Sequence, residues 1–181
     1  MGLAASNRDE FSLESVYDSH RQGLYSMALS VTGSRALAED AIQEGFAKLV
    51  HHRNSASGLP VATSEGLVPY VFMTVRNSAI DLQRKANRQK KLADSLFNGY
   101  SPPANHSMSP PQDMLTRERD QILRDAIETL PEEQRDAVVL KAFGGLTFEQ
   151  AAAVLDIPPK TLATRYRRAL KKLETRLEEL K

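Results

Sequence analysis

An all-α fold in two small helical domains is predicted from three observations. Apolar residues recur at helical spacing along most of the chain, and period-2 strand signals are weak throughout. Gly and Pro are not scattered but gather in two stretches, around residues 54–66 and 97–112. Between and around these stretches, residues that suit helix starts stand where each periodic segment begins.

The first periodic segment carries Phe11, Val16, Tyr17, Leu24, Met27, Ala28 and Val31 and ends at Gly33, a residue suited to a left-handed helix stop. The second, "SRALAEDAIQEGFAKLV", puts Ala38, Ala41, Ile42, Gly45, Phe46 and Leu49 on one face. Its other face carries Glu39, Asp40, Gln43 and Glu44. "HHRNSASGLPVATSEG" has no period and reads as a loop. A third helix is predicted from about Pro69 to Leu92, with Val71, Phe72, Val75, Ala79 and Leu82 buried. Pro69 suits its first turn, where a missing N–H leaves no bond unmade.

Next comes "FNGYSPPANHSMSPPQD", with two Pro-Pro pairs and almost no charge, which reads as a linker. The predicted division is therefore 1–92, a linker over 93–112, and 113–181. Fully extended, such a linker spans roughly 65–70 Å. Helices resume near Leu115. "LPEEQRDAVVLKAF" begins with Pro131 and two glutamates, which match the positive end of a helix dipole. Gly144-Gly145 stops it, and Thr147 with Gln150 three residues on forms a capping box.

Composition narrows the function. The 181 residues include 41% hydrophobic and 26% charged side chains, a globular balance, and no cysteine, which excludes disulfides and thiolate metal sites. No apolar run suits membrane insertion, and no signal-peptide pattern opens the chain, so a cytoplasmic protein is expected. The four histidines, His20, His51, His52 and His106, have no metal-ligand spacing to a partner, and no phosphate-cradling Gly loop or nucleophile elbow occurs. Neither a metal, a cofactor nor an enzymatic activity is expected. The net charge of +1 hides a strong asymmetry. Residues 1–50 hold four basic and seven acidic residues, whereas residues 76–91 hold six basic residues against Asp81 alone.

Residues 147–172 carry the sharpest signal. A short helix, a break near Asp156 and a basic amphipathic helix follow one another, with small Ala152 before the break and Leu162 after it. A helix-turn-helix needs this order: a small residue where the helices cross, a turn residue that tolerates left-handed φ, and an apolar residue facing back. Lys160, Thr161, Thr164, Arg165, Arg168 and Lys172 then project for DNA. Arg is able to read guanine edges in the major groove, while the others hold phosphates. A basic helix that merely solvates its charges lacks the turn that precedes this one.

"IETLPEEQRDAVVLKAFGGLTFEQAAAVLDIPPKTLATRYRRALKKL" resembles region 4 of bacterial sigma factors of the extracytoplasmic function (ECF) type, within the sigma-70 family. "ALAEDAIQEGFAKL" is similar to their region 2.2, and "PYVFMTVRNSAIDLQRK" to regions 2.3 and 2.4. The resemblance implies a sigma factor that binds core RNA polymerase and directs it to promoters. It implies core docking by Asp40, Gln43 and Glu44. It implies −10 contacts by Tyr70, Arg76, Asn77, Asp81 and Arg84, with −10 base specificity from the loop within 53–66, and −35 contacts from the basic helix. Promoter DNA and core polymerase are the implied partners, and an anti-sigma factor is a further one the resemblance admits. The familiar "G-T-V-K-S-R" stretch reads "K-T-L-A-T-R" at 160–165, so Ala163 lacks the polar contact of many relatives. Pro158 replaces a common Ser cap, and Val50 stands where Trp is frequent. The rival reading is a helix-turn-helix regulator that binds duplex DNA without docking on polymerase.

Overall fold

The computed structural model describes residues 12–56, 58–61, 63–96 and 122–178, and these contain helices and loops but no strand. Three helices form the first half: α1 (Leu13–Thr32), α2 (Arg35–Asn54) and α3 (Ser64–Leu96). The second half contains α4 (residues 122–128), α5 (Glu132–Val138), α6 (Phe148–Leu155) and α7 (Pro159–Glu178). Phe11, the Pro-Pro stretch and the helix start near Leu115 lie outside the described residues.

Local chemistry accounts for the ends. The Ser12 hydroxyl accepts from the Ser15 N–H at 3.0 Å and opens α1. Gly33, at φ 63°, closes it by donating its N–H to the Leu29 carbonyl. Two boundaries differ from the sequence expectation. α2 runs on to Asn54, and α3 starts at Ser64 rather than near Pro69, which shortens the loop between them. The Thr63 hydroxyl accepts from the Gly66 N–H at 3.3 Å and Glu65 lies in the first turn, so the start signal stands before the proline. Pro69 then forfeits one early intrahelical bond. At the far end α3 continues to Leu96, past the expected linker start. Its last turns, which include Arg88, Lys90 and Lys91, are exposed.

Within the first half, Leu24, Met27 and Ala28 of α1, Ala38, Ala41 and Leu49 of α2, and Val71, Phe72, Val75 and Ala79 of α3 are buried together. Gly45 permits the α2–α3 approach, since a Cβ there would stand 2.8 Å from a Val75 methyl. Lys48 of α2 donates to the Ser78 hydroxyl of α3 at 3.0 Å, which satisfies a fully buried polar group.

The two halves do not stand apart. The same apolar cluster continues through Ala137, Val139, Leu140, Leu146, Ala151, Ala152, Val154 and Leu162. α6 packs on α3, and the turn after α5 packs on α1. That turn, Val139–Phe143, is a π-helix that extends α5, with the Gly144 N–H bonded to the Val139 carbonyl at 2.8 Å. The wider turn was not foreseen from sequence. A second, smaller cluster of Ala126, Ile127, Leu130, Val138, Ala169 and Leu173 holds α4 and α5 against α7.

Candidate nucleic-acid interface

The helix-turn-helix is built as its sequence requires. Thr147 accepts from the Gln150 N–H at 3.1 Å, and the Gln150 side chain accepts from the Thr147 N–H at 2.9 Å, which starts α6 with a reciprocal cap. Asp156 ends it at φ 53°, ψ 48°, and is the sole non-glycine residue with positive φ among those described. α7 starts at Pro159, and the Pro158 carbonyl accepts from the N–H groups of Thr161 and Leu162. Backbone geometry thus opens the helix where a Ser side chain is absent. Ala152 and Leu162 are both buried, as the crossing of the two helices demands.

Thr161, Thr164, Arg165, Arg168 and Lys172 fall on one face of α7, at relative positions 0, +3, +4, +7 and +11. Lys160 lies roughly 100° away around the axis. Arg168 and Lys172 are exposed. Arg165 pairs with Glu133 of α5 at 3.0 Å, and the arginine side chain is 24% exposed against 68% for the glutamate. A shallow groove beside this face is lined by Pro131, Glu133 and Gln134 as well as by the α7 residues.

α3 treats its five predicted contacts unequally. Tyr70, Asn77, Asp81 and Arg84 share one face, at relative positions 0, +7, +11 and +14. Asn77, Asp81 and Arg84 are exposed and Tyr70 is half-buried. Arg76 points elsewhere, roughly 110° around the helix. Its Nη2 donates to Asp136 Oδ2 of α5 at 2.7 Å, with the two side chains only 18% and 12% exposed. Burial pushes the Asp136 carboxyl above its ordinary value, outweighing the opposing pull of Arg76; Glu132 adds to the rise and Arg135 opposes it. The buried Arg76 Nε has no hydrogen-bond partner among the described residues.

On α2, Asp40 and Gln43 are exposed and Glu44 is half-buried, all on the face turned away from the core. Glu44 is held by Lys48 at 2.9 Å. Of the loop within 53–66, residues 57 and 62 lie outside the described residues.

Sequence reasoning missed the groups that join the halves: Asp136, Glu133, His20 and the Gly23–Gly144 contact. His20 Nδ1 lies 3.3 Å from the Gly144 carbonyl oxygen, and its ring stacks edge-on against Phe72 with centroids 5.7 Å apart. Gly23 is buried in mid-α1, where a Cβ would stand 2.6 Å from Gly144 Cα and 2.9 Å from the Phe143 carbonyl oxygen. A glycine inside a periodic helix was the available signal, because it costs about 1 kcal/mol relative to Ala unless backbone must come close. Among the described residues no three His, Asp or Glu side chains cluster as a metal site requires. No helix there is long and apolar enough to cross a membrane.

Comparison with known proteins assigns the two halves. Residues 16–89 match the Sigma-70 region 2 family and residues 120–173 match Sigma-70, region 4. A region 2 followed by a region 4 marks the sigma-70 class. The ECF RNA polymerase sigma-E factor of Escherichia coli (strain K12) is 30% identical over 142 residues, covering 78% of this chain and 74% of the relative. The ECF RNA polymerase sigma factor SigM of Bacillus subtilis (strain 168) is 27% identical over 167 residues, covering 91% and 96%. This chain belongs to the ECF sigma factors of the sigma-70 family. The fold is shared with Bartonella quintana sigma factor RpoE, solved in complex with the anti-sigma factor NepR, at TM-score 0.64 and 24% identity, covering 92% of this chain and 94% of that one. It is shared also with CnrH, solved in complex with the cytosolic domain of CnrY, at TM-score 0.63 and 20% identity, covering 97% and 92%. As a sigma factor, the chain directs promoter-specific transcription with core RNA polymerase, which sets aside a regulator that works without it.

Proposed function

We propose that three surfaces divide this work, all of it binding. The α7 face of Thr161, Thr164, Arg165, Arg168 and Lys172 reads a −35 duplex, with Lys160 on an adjoining phosphate. The α3 face of Tyr70, Asn77, Asp81 and Arg84, joined by Arg76, meets −10 bases once they unstack, where an aromatic ring offers stacking and arginines offer charge. The acidic face of Asp40, Gln43 and Glu44 docks on core polymerase. The chain performs no bond chemistry, acts in the cytoplasm, and is a fit partner for an anti-sigma factor. The observation that carries the reading is the left-handed turn at Asp156 between a boxed α6 and an α7 with five polar and basic residues on one face.

Transcription in vitro with purified core polymerase on a genomic library tests it, with transcript starts sequenced. Start sites that depend on this chain are expected. Replacing Gln43 and Glu44 together with Ala is expected to weaken association with core and preserve helical content. Undiminished core binding by that variant would remove the docking assignment, and absence of dependent start sites would remove the whole division of labour.

A further inference from the structure

Arg76 lies on the helix proposed to meet the −10 strand, yet its guanidinium is spent inside the protein. It is held against Asp136 at 2.7 Å under a shared apolar core. While that bond stands, Arg76 is unable to touch nucleic acid. The second constraint is distance. α6 packs on α3 and α7 packs on α6, so the axes of α3 and α7 are about two helix-packing steps apart, roughly 16–20 Å. One turn of duplex alone is about 34–36 Å. Two promoter elements farther apart than this do not fit one closed body.

The contact is also built to release. A buried pair stabilises only when geometry and remaining hydrogen bonds are fully satisfied, and here the Arg76 Nε is left without a partner among the described residues. The closest approach of the halves is backbone to backbone, Gly23 against Gly144 and Phe143. Apolar packing holds the halves, and the ion pair occupies Arg76. The residues 97–121 that connect α3 to the second half are long enough to let them part, at roughly 3.3 Å per residue when extended.

We infer that the α1–α3 half and the α5–α6 half form an autoinhibitory latch, in which Asp136 takes the place of the −10 strand on Arg76 until the halves separate. The inference rests on the reading of α3 as the −10 surface.

Gly23→Ala tests it without touching any proposed DNA or polymerase contact. An added methyl has no room against Gly144, while Ala favours the isolated α1 helix. Asp136→Lys opens the latch by a second route, setting two cations face to face. Because the chain has no cysteine, a Val50→Cys/Glu174→Cys background accepts a donor and an acceptor dye at two chosen points. Energy transfer between the halves should fall in both variants, with helical circular dichroism retained. Binding of a mixed-sequence single-stranded DNA oligonucleotide to Gly23→Ala should tighten. If the open form is at most about a tenth of the parent population, the gain is about tenfold or more. The salt dependence should steepen by about 0.7 in log–log slope as one phosphate contact is added. The gain should vanish in Gly23→Ala/Arg76→Ala. Unchanged energy transfer, opening without tighter binding, or a gain that survives loss of Arg76 would each overturn the latch. Failure of the sigma assignment shows separately, as absence of dependent transcript starts from the parent chain.

Discussion

Arg76 and Arg165 both meet an acid carried by α5, under very different burial. Arg76 and Asp136 are almost enclosed, at 18% and 12% exposure, whereas Glu133 stands 68% exposed beside Arg165. Water screens the second pair and leaves Arg165 free to exchange Glu133 for a phosphate at little cost. The first pair forms only where two halves of the chain meet, so losing it means changing the arrangement of the molecule. One arginine is shielded by a side chain, the other by a domain. Three substitutions probe that contrast.

The largest effect is expected from Arg76→Ala. It leaves a buried carboxylate without its cation, a change that costs about 3–5 kcal/mol when a buried pair is broken from one side. Opening of the halves limits the loss, so urea unfolding should show a lower midpoint and separate transitions for the two halves in place of one. The effect should depend on pH with a definite sign. In the parent the folded-state pKa of Asp136 lies above its ordinary 3.8, so its stabilising protonated form is fully present below that value and lost as pH rises through the raised one. Removing Arg76 takes away the main opposing pull, so the variant's titration should move further upward. Its stability deficit should shrink as pH is lowered from 7 to 5. A deficit of equal size at both values would mean that Asp136 is not the group left exposed to the loss.

The difference in burial also explains what was legible in the sequence. α6, the Asp156 turn and α7 are set by signals within a few residues of one another: a Thr-x-x-Gln box, a left-handed acid and a proline at a first turn. Their boundaries and the placement of Ala152 and Leu162 were readable for that reason. The α3 face was readable in part, because Tyr70, Asn77, Asp81 and Arg84 follow one helical period. Arg76 breaks the period, and its partner lies 60 positions away, a distance at which no local rule operates. The start of α3 was missed for a smaller cause, since Pro69 outweighed the quieter cap at Thr63. The expectation of two domains on a tether missed the shared core because each half carries an apolar face sufficient to suggest its own.

A middle-sized effect should come from Arg168→Ala on the exposed side of the contrast. Arg168 is exposed and has no ion pair among the described residues, so its loss leaves the free chain intact. If it reads a base, one −35 position should lose about 1–3 kcal/mol of discrimination. If it holds a phosphate, all sequences weaken alike and the log–log salt slope falls by about 0.9. Selection of −35 sequences by holoenzymes of the parent and the variant separates the two outcomes. Relaxation at a single position is expected, and an unchanged preference with uniform weakening would move Arg168 to the backbone.

The smallest effect is expected from Glu133→Ala, and its smallness is informative. An exposed ion pair contributes about 0–1 kcal/mol, and Glu133 also favours the start of α5 by an amount of similar order, about 0.3–1 kcal/mol. The folded chain should therefore lose no more than about 1 kcal/mol or so by both routes together, with no separation of its halves. For duplex binding the sign reverses: Arg165 no longer exchanges one anion for another, and a negative charge is removed beside the DNA-facing side of α7. Duplex affinity should rise slightly, by at most about fivefold for 1 kcal/mol, and the gain should fade as salt screens exposed charges. Energy transfer between the Val50→Cys and Glu174→Cys dyes should stay at the parent level, unlike in Gly23→Ala. If Glu133→Ala instead lowers energy transfer, Arg165–Glu133 belongs to the closure as well, and the distinction between a screened arginine and an enclosed one fails.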